Sequence, residues 1–307
     1  MPLIFDKPPT PGCHASTVVE VEKGKLLAAW FGGKDEGAKD VQIYLSRFDG
    51  QWSVPEVVGT EPGQPTWNPV LFKTAKGTLF LWYKAGPKPF NWTGYVRTSA
   101  DGGKTWSKPA MMPAGFYGPV RAKPIQVGEA ILAGTSLESH NCWTPYVDTS
   151  TDDGNTWTRS APFNVAGKFA QIQPTLFAVE KTIVALMRSS DPRRICRSES
   201  RDGGKTWTPA EATELLNPSS GIDVARTGPS ELFLIYNPST LLRTPISLAR
   251  SADNGKTWAK VHDLETEVGE FSYPAMIASE SGNLEITYTF NRKHIKHETV
   301  DPAKFRK

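Results

Sequence analysis

The chain has 307 residues, 38% of them hydrophobic and 22% charged, with a formal net charge of +3. This is the balance of a globular protein, and a charge so mild, with no Lys/Arg-rich run, argues against a nucleic-acid partner. No apolar stretch reaches membrane-spanning length, and Met1-Pro2-Leu3-Ile4-Phe5-Asp6 lacks the charged start and apolar run of a signal peptide.

The chain as given is therefore expected to be cytoplasmic, or secreted or periplasmic if a leader has been removed. No membrane partner and no cofactor are expected, and the oligomeric state is not readable. The three cysteines, Cys13, Cys142 and Cys196, are an odd count and form no disulfide framework. Cys13-His14 and His140 near Cys142 match no standard metal-ligand spacing, so no metal site is expected. The 26 glycines, 25 prolines and 10 tryptophans suggest short strands, many turns and an all-β architecture.

In chain order, the strands fall into six periods. The first contains His14–Val21, Lys25–Trp30 and Val41–Phe48, and the second Asn68–Lys73, Thr78–Tyr83 and Gly94–Ser99. The third contains Arg121–Val127, Ala130–Ser136 and Pro145–Ser150, and the fourth Gln173–Val179, Thr182–Arg188 and Ile195–Ser200. The fifth has Gly221–Arg226, Glu231–Tyr236 and Ile246–Ser251, and the sixth Ser272–Ala278, Leu284–Thr289 and His294–Val300. Segments of the form Ser-x-Asp-x-Gly-x-Thr-Trp end periods two to five. They begin at Ser99, Ser150, Ser200 and Ser251, spaced 51, 50 and 51 residues apart. A degenerate copy, Ser46-Arg-Phe-Asp49-Gly50-Gln-Trp52, lies 53 residues before the first.

Such a period is the mark of a repeat fold. In each copy Asp is expected to accept hydrogen bonds from turn amides, Gly to supply positive φ, and Trp to cap the small core of one sheet. The reading is a six-bladed β-propeller spanning residues 1–307 as one domain. The sixth period lacks a box and a fourth strand. Residues near Leu3–Phe5 are expected to supply it and close the ring.

In a propeller, the starts of first strands and the ends of second strands face one central mouth. Those positions hold His14, Asn68, Arg121 with Lys123, Gln173, Asp223 and Tyr273. Opposite them stand Asp35 with Glu36, Tyr83 with Lys84, Glu138, Arg188, Asn237 and Arg292. So much charge at one end marks a candidate site.

The boxes and these positions resemble the sialidase (neuraminidase) superfamily of Asp-box, or BNR-repeat, propellers over essentially the whole chain. Cys13-His14-Ala-Ser-Thr17, Trp30-Phe-Gly-Gly33, Trp67-Asn68-Pro69, Gln171-x-Gln173-Pro174 and Asn217-Pro-x-Ser-Gly221 resemble one neuraminidase-like branch of it. The resemblance implies a three-arginine carboxylate clamp, a tyrosine nucleophile paired with a glutamate, and an aspartate acid/base. Arg188 resembles the second clamp arginine. Arg243, 30 residues before Tyr273, resembles the third. Tyr273, in Glu270-Phe-Ser-Tyr273-Pro274, resembles the nucleophile, and Asp35 the acid/base, with Glu36 and Asp40 as rivals.

Two departures stand out. His14 occupies the place of the first clamp arginine, and Gln173 lies where the glutamate partner is expected. Gln cannot take a proton. Glu138 or Glu270 is then the replacement, or Arg188 and Arg243 stabilise the phenolate.

The resemblance implies a glycan or small acidic-sugar substrate. The implied function is exo-hydrolysis of a terminal carboxylated sugar. Arg188 and Arg243 hold the carboxylate, with Arg121 or Arg292, and Lys123, Gln173, Asn68 and Asn237 complete the binding wall. The alternatives are a polysaccharide lyase acting on uronic acids, with His14 and Tyr273 as base and acid, and a non-catalytic glycan-binding propeller using Trp67, Trp92 and Trp143.

Overall fold

The computed structural model describes residues 3–306. Strands form six sheets, five of four strands and one of three, each antiparallel and wound from the centre outward in chain order. The molecule is an all-β six-bladed propeller. The three-stranded sixth blade comprises Phe271–Ala278, Leu284–Phe290 and His294–Val300. Leu3 bridges Lys296 on its outer strand, and the Ile4 amide donates to the Ile295 carbonyl at 2.9 Å. The chain start thus lies where the missing outer strand was expected.

The boxes form as their chemistry dictates. In the blade 2 copy the Thr105 amide and hydroxyl donate to Asp101 at 2.9 and 2.6 Å, and the Gly103 amide donates to Ser99 Oγ at 2.9 Å. The tryptophan, however, caps the seam between two blades rather than the core of one sheet. Trp157 of blade 3 packs edge-on to Trp82 of blade 2, ring centroids 6.2 Å apart. The box glycines obey the same rule. A Cβ on Gly103, Gly154, Gly204 or Gly255 would meet Leu27, Phe80, Leu132 or Phe177, each on the preceding blade. The degenerate copy holds the ring's closing seam, where Trp52 packs edge-on to His297 of blade 6 at 5.2 Å. Buried aliphatic and aromatic clusters fill these seams. Burial of this kind, at about 25 cal/mol per Å², is the main favourable contribution to folding.

Two first strands are shorter than the sequence suggests. Blade 3 pairs regularly only over Ile125–Val127, because Pro124 has no amide to give the ladder and interrupts the run from Arg121. Blade 5 starts at Asp223 rather than Gly221.

Four first strands share one irregularity, and it builds the site. Their ladders slip between His14 and Thr17, Trp67 and Val70, Ile172 and Thr175, and Ser272 and Ala275. At each slip one non-glycine residue has positive φ: Ala15 (57°), Asn68 (38°), Gln173 (58°) and Tyr273 (51°). A bulge re-aims side chains and is over-represented beside functional sites. In three of the four a proline follows, Pro69, Pro174 or Pro274. Proline pushes its predecessor out of the right-handed helical region and gives no donor to the ladder.

Candidate active site

The bulges turn Tyr273 and Gln173 into the mouth, where three arginines from three different blades surround the tyrosine. The guanidinium carbons of Arg121, Arg243 and Arg188 lie 5.3, 5.3 and 5.6 Å from the Tyr273 ring centroid. Arg188 ends the second strand of blade 4 (Thr182–Ser189), and its Nη1 donates to the Tyr273 hydroxyl at 2.5 Å. The same Nη1 donates to Gln173 Oε1 at 3.2 Å, and Gln173 Nε2 donates to Glu138 Oε1 at 3.2 Å. Gln173 therefore stands between Glu138 and the tyrosine. Burial pushes the Glu138 carboxyl above the usual carboxylate range, against the pull of Arg188.

Arg121 is buried and donates from Nη2 to the Pro274 carbonyl, while its Nε and Nη1 are buried without a partner among the described residues. Burial lowers its pKa to about 10, with Asp223 and Tyr273 opposing that shift. Gly221 allows it to pass: a Cβ there would stand 3.1 Å from Arg121 Nε. His14 is also buried, its ring centroid 4.2 Å from that of Tyr273, and its Nδ1 lies 2.9 Å from Thr289 Oγ1. Burial, then Arg292, Arg243, Arg121 and Arg188, hold its pKa well below the ordinary value, so the imidazole is neutral at pH 7.

A chain of charges runs along one wall. Arg243 Nη1 donates to Glu270 Oε1 at 2.8 Å, and Arg292 Nε donates to the same carboxylate at 2.9 Å. Arg292 Nη1 also pairs with Glu36. This ties the loop after the second strand of blade 1 to blade 6. Of the three rival carboxylates on that loop, Glu36 is held by Arg292 and Asp40 accepts from the Lys34 amide at 3.0 Å. The Asp35 side chain is exposed and has no hydrogen-bond partner among the described residues. A small cleft there is lined by His14, Phe31, Asp35, Glu36 and Arg292.

The structure thus gathers His14, Arg121, Gln173, Arg188, Arg243 and Tyr273, with Glu138 behind Gln173 and Asp35 and Arg292 at the rim. Some of the remaining positions lie elsewhere, and others meet the group only at its margin. Lys123 lines the opposite mouth with Val18, Leu71, Phe177, Val224 and Ile277, and its Nζ is 2.9 Å from Asp223 Oδ1. Asp223 also accepts from Thr175 Oγ1 at 2.8 Å and the Met276 amide at 2.9 Å, so it joins blades along the axis. Asn237 is buried and donates to the Pro245 and Phe271 carbonyls, both at 2.9 Å, which makes it a seam residue. The Asn68 carbonyl accepts from the buried Lys84 Nζ at 3.3 Å. Trp67 and Trp92 are buried against one another, whereas Trp143 is half-buried, with Arg188 5.8 Å from its ring centroid. Glu270 binds arginines and makes no hydrogen bond to Tyr273 among the described residues.

Sequence reading missed Ser219, whose hydroxyl accepts from Arg188 Nε and Nη2 at 3.3 and 3.2 Å. Its φ is 59°, in a turn where the Ser220 amide donates to Asn217 Oδ1 at 2.9 Å. The only sequence signal is the turn-forming run Asn217-Pro-Ser-Ser-Gly221.

A family model described as a BNR repeat-like domain matches residues 24–286. A sialidase from Bacteroides fragilis is 21% identical over 271 residues, covering 80% of this chain and 49% of the relative, so the chain spans about half that curated relative's length. Among solved structures, a protein of unknown function from Dyadobacter fermentans superposes with a TM-score of 0.79 at 19% identity, covering 94% of each chain. A Hadza microbial sialidase gives 0.81 at 16% identity, over 96% of this chain and 66% of that one. The Trypanosoma rangeli sialidase gives 0.78 at 14%, over 97% and 56%. The repeats, the six-bladed ring and the family match together make this chain a member of the BNR repeat-like domain family, within the sialidase superfamily of propellers.

Proposed function

We propose that this chain is an exo-acting glycoside hydrolase that releases a terminal carboxylated sugar, sialic acid or a related acid, from a glycan. The observation that supports this most is the set of three arginines, Arg121, Arg188 and Arg243, around Tyr273. Forked guanidinium groups suit a carboxylate, and a ring of cations counters negative charge developing on a phenol oxygen. Asp35, the unpaired carboxylate of its loop, protonates the leaving oxygen as the glycosidic C–O bond breaks. The Tyr273 oxygen faces the anomeric carbon and bonds to it or stabilises its positive charge. Water then completes the hydrolysis, and the Asp35 carboxylate takes a proton from it. Arg188 cannot accept the phenol proton, so that proton passes to solvent water as the oxygen bonds to the anomeric carbon and is regained from solvent once water has displaced the sugar; Arg188 stabilises the oxygen while it lacks the proton.

A lyase acting on uronic-acid glycans is the second reading. It is favoured by the neutral His14 packed on Tyr273 and by a phenol that, among the described residues, has no carboxylate hydrogen-bonded to it. There an arginine neutralises the substrate carboxylate, His14 removes the proton beside it, and Tyr273 protonates the leaving oxygen. Mass spectrometry of products from a panel of sialosides and uronic-acid glycans separates the two. A free acidic sugar heavier by one water supports hydrolysis. An unsaturated, ultraviolet-absorbing product overturns it in favour of elimination.

A further inference from the structure

Thr289 decides which nitrogen of His14 carries the proton. It stands on the second strand of blade 6, Leu284–Phe290, across the closing seam from His14. The left-handed Ala15, at φ 57°, turns its amide towards that strand, and the amide donates to Thr289 Oγ1 at 3.2 Å. The hydroxyl proton must then go elsewhere. Among the described residues the acceptor in reach is His14 Nδ1, at 2.9 Å. The reverse arrangement, with the proton on Nδ1, leaves a buried hydroxyl with nothing to donate to, and buried polar groups are rarely left so. The ring has little room to leave this contact. Tyr273 lies against it at 4.2 Å between centroids, and Phe31 meets it edge-on at 5.7 Å. A neutral imidazole whose Nδ1 lone pair is taken carries its proton on Nε2. That nitrogen has no hydrogen-bond partner among the described residues, and the ring lines the cleft beside Asp35 and Arg292.

We propose that Thr289 is a positioning residue that fixes His14 as a hydrogen-bond donor, with its Nε2–H presented to a substrate oxygen in the cleft, and not as a proton acceptor. The ligand rests on the acidic-sugar reading, whereas the tautomer stands on the hydrogen bonds alone. A neutral N–H of this kind polarises an oxygen without adding another cation beside Arg121, Arg188, Arg243 and Arg292. A base needs an open lone pair, and His14 in this form has none, so the elimination reading loses its base.

The test reads the tautomer directly, by nitrogen-15 NMR of the full chain at pH 7, with the His14 signals identified as those missing from His14→Gln. In wild type Nε2 is expected to be protonated and Nδ1 unprotonated. Thr289→Val keeps the shape and removes the hydroxyl, so His14 should turn to a mixture of tautomers or to Nδ1–H. Thr289→Ser should restore the wild-type pattern. A second arm measures binding of N-acetylneuraminic acid and glucuronic acid by calorimetry. For an acid that binds wild type, Thr289→Val and His14→Leu should each weaken binding by roughly three- to tenfold. Thr289→Ser and His14→Gln, which return a hydroxyl and a neutral N–H, should each recover part of that loss. An Nδ1-protonated or charged His14 in wild type, or a tautomer that Thr289→Val leaves unchanged, overturns the proposal. So does acid binding that His14→Leu leaves unaltered. A wild type with the Nε2–H tautomer that binds neither acid overturns the acidic-sugar reading alone, with the control of His14 by Thr289 upheld.

Discussion

Lys84 offers a quantitative test of how the mouth is built. Its ammonium is buried between the Asn68 bulge and the Pro119 carbonyl, and it donates to both backbone oxygens. Burial pulls its pKa from 10.5 to about 7, with Glu138 opposing the shift. In the unfolded chain the side chain stays protonated up to about 10.4. Between pH 7 and that value the unfolded state therefore binds more protons than the folded one. Stability contributed by this site rises with pH across the window and is lost as pH falls from 10 towards 7. At about 1.4 kcal/mol per pH unit, the full interval is worth roughly 5 kcal/mol. From pH 7 to 9, where the folded site is still partly charged at the start, the change is about 2 kcal/mol. Lys84→Met removes the titrating group at nearly constant volume. The measurement is urea denaturation of both proteins at pH 7, 8 and 9. Taking the difference cancels groups common to both, such as Cys13, whose thiol burial pushes up to about 12. The stability of Lys84→Met relative to wild type should fall by about 2 kcal/mol between pH 7 and 9. A pH-independent difference would mean that Lys84 is solvated or fully compensated in the folded protein.

Tyr273→Phe removes only the oxygen that Arg188 contacts, so turnover should fall by about a thousandfold or more, with an unchanged melting temperature. Asp35→Asn should lower kcat by roughly a hundredfold or more and leave acid binding intact, and a smaller effect than Glu36→Gln would move the acid role to Glu36. Trp157→Ala opens the seam between blades 2 and 3 and should cost about 3–5 kcal/mol in denaturation, with activity per folded molecule unchanged. The Asp152 carboxyl is held at about 2 by the Thr156 hydroxyl and amide. Its contribution is complete above the ordinary value near 3.8 and is lost as pH falls towards 2. Asp152→Asn should therefore flatten the acid limb of the stability curve, and an unaltered limb would contradict the box hydrogen bonds.

The architecture was readable because it repeats. Four boxes at nearly constant spacing set the repeat length, and the strand pattern at that length divides the chain into six periods; each turn is set by local chemistry among Ser, Asp, Gly and Thr. What the boxes do across blades was not readable. That Trp157 meets Trp82 rather than its own sheet depends on packing 75 residues away in the chain. The strand-start rule found Tyr273, Gln173, His14 and Arg121, because a mouth position follows from strand order alone. It also admitted Lys123, and the matching rule for second-strand ends admitted Asn237. Lys123 is two residues past Arg121, yet far enough along the axis to reach the other opening. Asn237 is at the correct height, but its amide is spent on two carbonyls in the seam. Partners were the least legible. Nothing local tells that Arg292 meets Glu36, 256 residues away, or that Ser219 closes the fork of Arg188. The proline after Asn68, Gln173 and Tyr273 was a visible signal for the bulges, and it follows from proline's missing donor and its restriction of the preceding residue.

Hydrolysis and elimination are separated by running the reaction on the acidic-glycan panel in ¹⁸O-labelled water and weighing the released sugar. Hydrolysis at Tyr273 gives a free carboxylated sugar carrying one ¹⁸O at its anomeric hydroxyl, lost in Tyr273→Phe. An acidic product with no added oxygen and a new double bond, or labelled product formed equally well by Tyr273→Phe, would contradict it.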